Sequence, residues 1–369
     1  MIVPHHYCAN LHAGLRLILT PDGKISVSTC TVSPIDAVIT DNKVFDHPKL
    51  VEFRNRNIET QQLEGLCALC DPLECDGIRG HNRGAVNHLY IKDKLLYNQS
   101  GPKQITFQMN YVCNLACIIC EPALSTKWRL EENVKQGATS VDETLLRNTI
   151  RNINLEQLET VHIYGGETLL TKTHEIILEE LTPYAKNLTI WYDTNGTVVP
   201  SRKTIELWEP FHLVRLKLSL DGIGEAFNYM RYPANWTKVE DTISKIVDVM
   251  PYNHMLTVRP AIGFLNFHLI KELREWQQKY LYANRLGDLT EFEYTPVYGI
   301  YKAENMTQDM KDELMMIYDI SDSIHVVMPK FVRGTELELS TIKNELTKLD
   351  LRRGLDYKKS LPHLIKYLQ

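Results

Sequence analysis

The chain has 369 residues, of which 44% are hydrophobic and 24% charged, with a net charge of −5 at pH 7. The chain is longer than one ordinary domain, and its composition is sufficient to bury a hydrophobic core. The negative net charge argues against a protein that binds nucleic acid mainly through electrostatic attraction. The sequence contains neither an apolar run of membrane-spanning length nor an N-terminal secretory pattern, so we expect a cytoplasmic protein without a membrane partner.

The first hundred residues are predicted to form a small cysteine-rich module. Residues 14–30 (GLRLILTPDGKISVSTC) predict a β-hairpin, because two apolar-rich runs flank a Pro-Asp-Gly turn. A charged helix over 47–60 follows, then three cysteines and a loop rich in Gly, Asn and Arg over 77–87. Little of this segment could form a large core unaided, and a bound metal would compensate.

From residue 104 onward, strand-like and helix-like segments alternate. The predicted strands lie at 104–109, 160–165, 188–194, 213–220, 255–264 and 291–297. The predicted helices lie at 124–136, 142–153, 173–183, 200–210, 236–250 and 266–281. Such alternation is typical of parallel β-α-β units, and six strands are too few for the eight of a complete TIM barrel.

We therefore predict an α/β fold in three parts. Residues 1–100 would form the N-terminal β-hairpin module that carries most of the cysteines. Residues 101–300 would form a partial (β/α)6 TIM-like barrel, and residues 301–369 a mostly helical C-terminal extension.

All eight cysteines lie within the first 120 residues: Cys8, Cys30, Cys67, Cys70, Cys75, Cys113, Cys117 and Cys120. A disulfide framework is typical of small secreted chains, whereas clustered cysteines in a large chain of this kind more often bind metal. Scattered buried thiols are the alternative, and the short spacings count against it.

Three of these cysteines form a C-x3-C-x2-C loop directly after the first predicted barrel strand. The thiolates of Cys113, Cys117 and Cys120 could each bind one iron of a [4Fe–4S] cluster, leaving the fourth iron open for another molecule. Structural zinc is the alternative, but it would require four ligands, and no Cys or His follows within ten residues of Cys120. The loop lies between a strand and a helix, where α/β enzymes build their sites.

This spacing in this position resembles the signature of the radical S-adenosylmethionine (SAM) superfamily. The resemblance implies that SAM chelates the open iron through its amino and carboxylate groups. One-electron reduction by an external reductant would then split SAM into methionine and a 5′-deoxyadenosyl radical that abstracts a substrate hydrogen. Cys113, Cys117 and Cys120 would be the catalytic cluster ligands.

Three further strand ends resemble motifs of the same family. The resemblance implies that the Gly-Gly-Glu of YGGE (164–167) holds the SAM amino group, where a plain turn with a solvated acid is the alternative. DTNG (193–196) resembles the family's TNG segment, and SLDG (219–222) its S-[IL]-D-G segment. Capping and turn formation at the strand ends are the alternatives for these two segments.

The resemblance also assigns roles to single residues. Ser219 and Arg231 would approach the SAM carboxylate or ribose, and Ile119 would lie near the adenine, which residues 259–266 could contact through their backbone. The complete set of expected cofactor-binding residues is Ile119, Gly165, Gly166, Glu167, Asn195, Ser219, Asp221 and Arg231. No residue is assigned as general acid or base.

The upstream cysteines suggest a second metal site. Cys67 and Cys70 form C-x2-C, and such a pair with two remote cysteines fits either zinc or a second iron–sulfur cluster, while free thiols are a third possibility. Similarity to twitch- and SPASM-type radical SAM proteins, here with the module N-terminal to the core, implies an auxiliary [4Fe–4S] cluster. Its implied ligands are Cys8, Cys30, Cys67 and Cys70, with Cys75 spare or a substitute.

This subgroup resemblance implies an enzyme that modifies a ribosomally synthesised precursor peptide (RiPP maturation). The reaction would be crosslinking, epimerisation or a splicease-type backbone excision. In an epimerisation, Cys75 would be the candidate donor of the second hydrogen. A small leader-binding partner protein is expected, because no separate recognition segment precedes Cys8. The alternatives are radical chemistry on a small metabolite or sugar nucleotide, and a non-catalytic iron–sulfur scaffold.

Overall fold

The computed structural model describes residues 3–4, 6–31, 33, 36–65, 67, 82–91, 94–135, 137–251, 253–281, 290–297, 299–317 and 339–369. The fold is mixed α/β, with a largely parallel sheet that does not close into a barrel among these residues, so the predicted partial TIM-like class is confirmed. The chain divides into two compact units. The first comprises Met1–Cys113, Arg129–Asp193 and Pro200–Arg215, and the second Asn114–Trp128, Thr194–Val199 and Leu216–Gln369.

The sheet of the first unit is built on the predicted hairpin. Its strands are Gly14–Leu19 (β1), Ile25–Ser28 (β2), Ala37–Val38 (β3), Gln104–Gln108 (β4), Thr160–Ile163 (β5) and Thr189–Thr194 (β6), in the order β6-β5-β4-β1-β2-β3. β1 and β2 are antiparallel around a turn in which Gly23 has a φ of +83°, a conformation that favours glycine. β1 also pairs in parallel with β4, so the hairpin extends the sheet of the β-α-β strands.

Short helices connect and cover these strands. They are Ala9–Ala13, Pro48–Thr60, Asn82–Tyr90, Glu143–Arg151, Thr173–Leu181 and Arg202–Trp208. Two begin at side-chain caps: Asp142 accepts a hydrogen bond from the Leu145 amide and Ser201 one from the Thr204 amide.

One helix, Asn82–Tyr90, lies partly where the sequence predicted a loop. The expected loop over 77–87 is wrong at its C-terminal part, where Asn82–Tyr90 is helical, and residues 77–81 lie outside the described residues. Tyr90 is buried in a small apolar cluster with Tyr7 and Ala9, and this packing overrides the low helix propensity of the polar, glycine-containing segment.

The second unit contains the remaining strands, Leu213–Leu218 (β7, whose last three residues belong to this unit), Met255–Val258 (β8), Ala261–Ile262 (β9), Thr290–Phe292 (β10) and Thr295–Pro296 (β11). The strand order is β7-β8-β10, and β9 pairs separately with β11. The predicted single strands over 255–264 and 291–297 are therefore each divided in two. Pro260 lacks an amide hydrogen and interrupts the first ladder, and the partner strand is interrupted at the matching position.

The helices of the remaining chain are Thr126–Glu131, Gly224–Met230, Trp236–Val249, Ile270–Tyr280, Gln308–Ile317, Leu339–Arg353 and Tyr357–Ser360. The C-terminal helices are part of the second unit's core, where Ile342 and Leu346 are fully buried in one apolar cluster with Met230 and Phe264. None of the helices in the described ranges is both long enough and apolar enough to cross a membrane. The predicted boundaries at residues 100 and 300 remain predictions.

Candidate functional site

The cysteine loop follows β4, as predicted, and its backbone is held by neighbours in the second unit. The Ala116 amide donates to the Tyr232 carbonyl at 2.7 Å, and the Ile118 amide donates to the Met230 carbonyl at 2.9 Å. The indole N–H of Trp128 donates to the Cys117 carbonyl at 2.7 Å. These three bonds fix the loop on both sides of Cys117, which is buried.

The TNG segment contacts the same loop. The Asn195 side-chain amide donates to the Asn114 side-chain oxygen at 3.0 Å, and Asn114 in turn donates to the Thr197 hydroxyl at 2.9 Å. Gly196 has a φ of +74°, which favours glycine and lets the chain turn back after β6. Asn195 therefore orients the residue that directly follows Cys113.

The GGE segment lies against the three residues that precede Cys113. The Gly166 amide donates to the Asn110 carbonyl at 2.8 Å, and the Glu167 amide donates to the Val112 carbonyl at 2.7 Å. A Cβ atom at Gly165 would stand 2.1 Å from the Asn110 oxygen and one at Gly166 2.3 Å from the Val112 oxygen. Both glycines are required because the two backbones touch, a reason that the motif alone does not reveal.

Glu167 is completely buried, which excludes the alternative of a turn with a solvated acid. Its carboxylate caps the short 3-10 helix Thr168–Leu170 by accepting a hydrogen bond from the Leu169 amide at 3.1 Å. A buried carboxylate forms charge-assisted hydrogen bonds, and an ammonium group is a suitable donor for such bonds.

Asp221 and Arg231 form a buried ion pair in the second unit. The Arg231 Nε donates to Asp221 Oδ2 at 2.6 Å, and the Arg231 Nη1 donates to the Cys117 sulfur at 3.8 Å. Asp221 Oδ1 accepts from the Ala261 amide at 2.8 Å, and its carbonyl accepts from the Asn266 side chain at 3.0 Å. Ser219 is half-buried, and its amide donates to the Thr194 carbonyl at the end of β6.

The charges in this group act on one another. Burial raises the pKa of the Cys117 thiol, and the Arg231 cation opposes that rise. Burial alone would lower the pKa of Arg231, but the neighbouring Asp221 and Cys117 raise it above its ordinary value. Arg231 therefore stays protonated and faces a sulfur that benefits from a nearby cation when it is a thiolate.

Three of the upstream cysteines lie together in the first unit. Cys8 precedes the helix Ala9–Ala13, Cys30 follows β2, and Cys67 is buried in an apolar cluster that Cys8 contacts. Burial, with a smaller contribution from the nearby Cys30 and Cys67, raises the pKa of Cys8 to about 12. Cys70 and Cys75 lie outside the described residues, and no described cysteine forms a disulfide.

The donor chemistry of both cysteine groups suits iron–sulfur ligation, because each brings three thiols and thiolate sulfur is the ligand such clusters use. Within the described part of the chain, no three Cys, His, Asp or Glu side chains converge in an arrangement that could hold a metal ion.

A polar face on the first unit's sheet was missed by the sequence reasoning. The Tyr164 hydroxyl donates to Gln108 at 2.9 Å and accepts from Arg16 at 3.1 Å, while His162 and Asp193 meet at 3.0 Å. Alternating polar residues within apolar strands are the signal that could have revealed this face.

The structure thus brings together most of the predicted site residues within each unit. In the second unit Cys117 contacts Arg231, Arg231 contacts Asp221, and Ile119 packs at the edge of the apolar core. In the first unit Gly165, Gly166 and Glu167 lie directly against the chain that leads to Cys113, as the Gly166 and Glu167 amide bonds show. The contacts of Asn114 and Trp128 had no signal in the sequence.

Comparison with known proteins identifies one segment. Residues 107–275, just under half of the chain, match the family model described as the Radical SAM superfamily. No curated protein matches the sequence.

Several solved structures are similar at low identity. Native anSMEcpe with bound AdoMet is 15% identical, with a TM-score of 0.41 over 67% of this chain and 66% of that chain. Streptococcus suis SuiB bound to S-adenosylmethionine is 14% identical, with a TM-score of 0.39 over 85% of this chain and 69% of that chain. A complex of anSMEcpe with AdoMet and the Cp18Cys peptide is 14% identical, with a TM-score of 0.36 over 68% of this chain and 60% of that chain. The chain thus spans about two thirds of these proteins, and TM-scores this low carry no weight for its activity.

Proposed function

We propose that this protein is a radical SAM enzyme that modifies a peptide and that Cys113, Cys117 and Cys120 hold its SAM-binding [4Fe–4S] cluster. One observation carries the proposal: the C-x3-C-x2-C loop follows β4 within the segment that matches the radical SAM family model. When bound, the cluster and SAM supply a reductively generated 5′-deoxyadenosyl radical that abstracts hydrogen.

The chain's own residues hold the cofactor. The buried carboxylate of Glu167 binds the ammonium group of SAM, and the side-chain-free backbone at Gly165 and Gly166 lets the two segments approach closely. Asn195 keeps the start of the loop in place through Asn114.

Four residues of the second unit are also proposed to act in cofactor binding. Ser219 donates to the SAM carboxylate or ribose, and Asp221 fixes Arg231 beside the loop. Ile119, half-buried at the edge of an apolar cluster, supplies an apolar surface for the adenine.

Cys8, Cys30, Cys67 and Cys70 bind a second, auxiliary [4Fe–4S] cluster in this proposal, as in the twitch- and SPASM-type subgroup. The set is supported by Cys8, which lies near Cys30 and also near Cys67. Cys75 is a spare or substitute ligand.

The peptide substrate rests on the same subgroup resemblance, because members with an auxiliary cluster commonly modify ribosomal peptides or protein side chains. A precursor peptide, a small leader-binding protein and an external one-electron reductant are the proposed partners.

We expect the anaerobically reconstituted protein to release 5′-deoxyadenosine and methionine from SAM when it is given dithionite. Chromatography of a reaction with adenosyl-labelled SAM measures this release, and the same mixture without dithionite is the control. A protein that binds iron but releases no deoxyadenosine would be a scaffold and would refute the proposal. Deuterium transfer from a labelled peptide, as opposed to a labelled sugar nucleotide, would identify the substrate class.

A further inference from the structure

We infer that Arg231 is a positioning residue that sets the reduction potential of the SAM cluster through its bond to the Cys117 sulfur. This role is distinct from the contact with SAM that the family resemblance assigns to this arginine. The inference rests on the proposed function, because it requires a cluster bound to Cys117.

The first step is the geometry of the guanidinium. Its Nε is held by Asp221 Oδ2 at 2.6 Å, and its Nη1 points at the Cys117 sulfur at 3.8 Å. A guanidinium is a rigid planar fork, so fixing one donor fixes the direction of the others. The position of the Arg231 donor on Cys117 is therefore set by Asp221.

The second step is what holds Asp221. Its other carboxylate oxygen accepts from the Ala261 amide at 2.8 Å, and its carbonyl accepts from the Asn266 side chain at 3.0 Å. Asn266 also donates to the Ala261 carbonyl at 2.9 Å, and its side-chain oxygen accepts from the Gly263 amide at 3.0 Å. A chain of bonds thus anchors the arginine to the loop after β8, independently of any ligand.

The third step is the electrostatic consequence. The side chain of Asp221 is fully buried and that of Arg231 is only 10% exposed, so water screens the cation weakly. An iron–sulfur cluster gains one negative charge on reduction, and hydrogen bonds to its sulfur ligands are among the factors that set its potential. An N–H···S bond from a buried cation stabilises the reduced cluster and raises its potential.

The test is an EPR-monitored redox titration of the reconstituted protein in the absence of SAM. The relevant signal is identified by its change when SAM is added to a parallel sample. The substitution R231Q removes the charge and should lower the ratio of reduced to oxidised cluster at a fixed potential about tenfold, equivalent to about 59 mV for one electron. R202Q, which neutralises an arginine whose side chain is 93% exposed, is the matched control and should titrate like wild type.

The substitution R231K keeps the buried positive charge beside Asp221 but lacks the planar guanidinium that binds both Asp221 and the Cys117 sulfur. It therefore tests the effect on the potential if R231Q does not fold. We expect its ratio of reduced to oxidised cluster to fall in the same direction, about threefold, because one N–H···S bond is lost or lengthened. Midpoint potentials equal to wild type in the variants, with weakened SAM binding, would overturn the inference and leave Arg231 as a SAM ligand only. Absence of any SAM-sensitive cluster signal in wild type would instead refute the proposed function.

Discussion

Replacing Cys113, Cys117 and Cys120 together with alanine should remove about four irons per chain and reduce deoxyadenosine release to that of the protein-free control, because a cubane cluster has no other ligands there. Iron and sulfide analysis, with chromatography of the SAM cleavage reaction, measures both effects. The Arg231 bond to the Cys117 sulfur is lost in this variant, but contacts that do not involve a thiol, such as the Trp128 indole on the Cys117 carbonyl, survive the change.

The matched control is the triple alanine variant of Cys8, Cys30 and Cys67. It should also lose about four irons, because the auxiliary cluster is lost, but it should still release deoxyadenosine when dithionite is the reductant. If this upstream variant lost SAM cleavage while the variant of Cys113, Cys117 and Cys120 kept full activity, the SAM-binding cluster would belong to the upstream cysteines. Unchanged iron content in the control would make the upstream cysteines zinc ligands or free thiols.

Asp221→Asn should lower the free energy of unfolding by about 3–5 kcal/mol, because it leaves the Arg231 cation buried without its counter-ion. Asp221 is fully buried, and its 2.6 Å bond to Arg231 is a charge-assisted bond between two desolvated groups. Urea unfolding, followed by circular dichroism on protein prepared anaerobically, measures the change.

An exposed ion pair of the same unit provides the control for this second prediction. Asp241 and Lys245 meet at 2.6 Å on one helix with side chains 62% and 59% exposed, so Asp241→Asn should change the unfolding free energy by less than about 1 kcal/mol. The double variant Asp221→Asn, Arg231→Met should recover part of the loss, since no unpaired charge then stays buried. Equal unfolding free energies for the two single Asn variants would contradict a structural ion pair.

Much of the fold could be predicted from local patterns. Alternating strands and helices predicted the strands at β4 to β7 closely, and the Pro-Asp-Gly turn predicted the hairpin of β1 and β2. The errors have identifiable causes. Tyr90 is buried in one apolar cluster with Tyr7, far away in sequence, and this burial favours a helix where the polar sequence predicted a loop. Pro260 divides one predicted strand in two.

The sequence predicted those site residues that belong to short contiguous motifs. The cysteine spacing and the GGE segment identified which residues to examine, but they gave no information on what each side chain touches. Arg231 is 114 residues from Cys117 in the sequence, and the two side chains meet only because the fold brings Arg231 to the cysteine loop. Asn114 and Asn195 are 81 residues apart, so their bond also depends on the folded arrangement.

The most direct measurement of the central claim is the EPR spectrum of the reduced wild-type protein recorded with and without SAM. The account predicts a [4Fe–4S]+ signal that changes on SAM addition, because SAM binds the one iron that Cys113, Cys117 and Cys120 leave open. A cluster signal that is unaffected by saturating SAM, or a protein that takes up no iron at these cysteines, would contradict it.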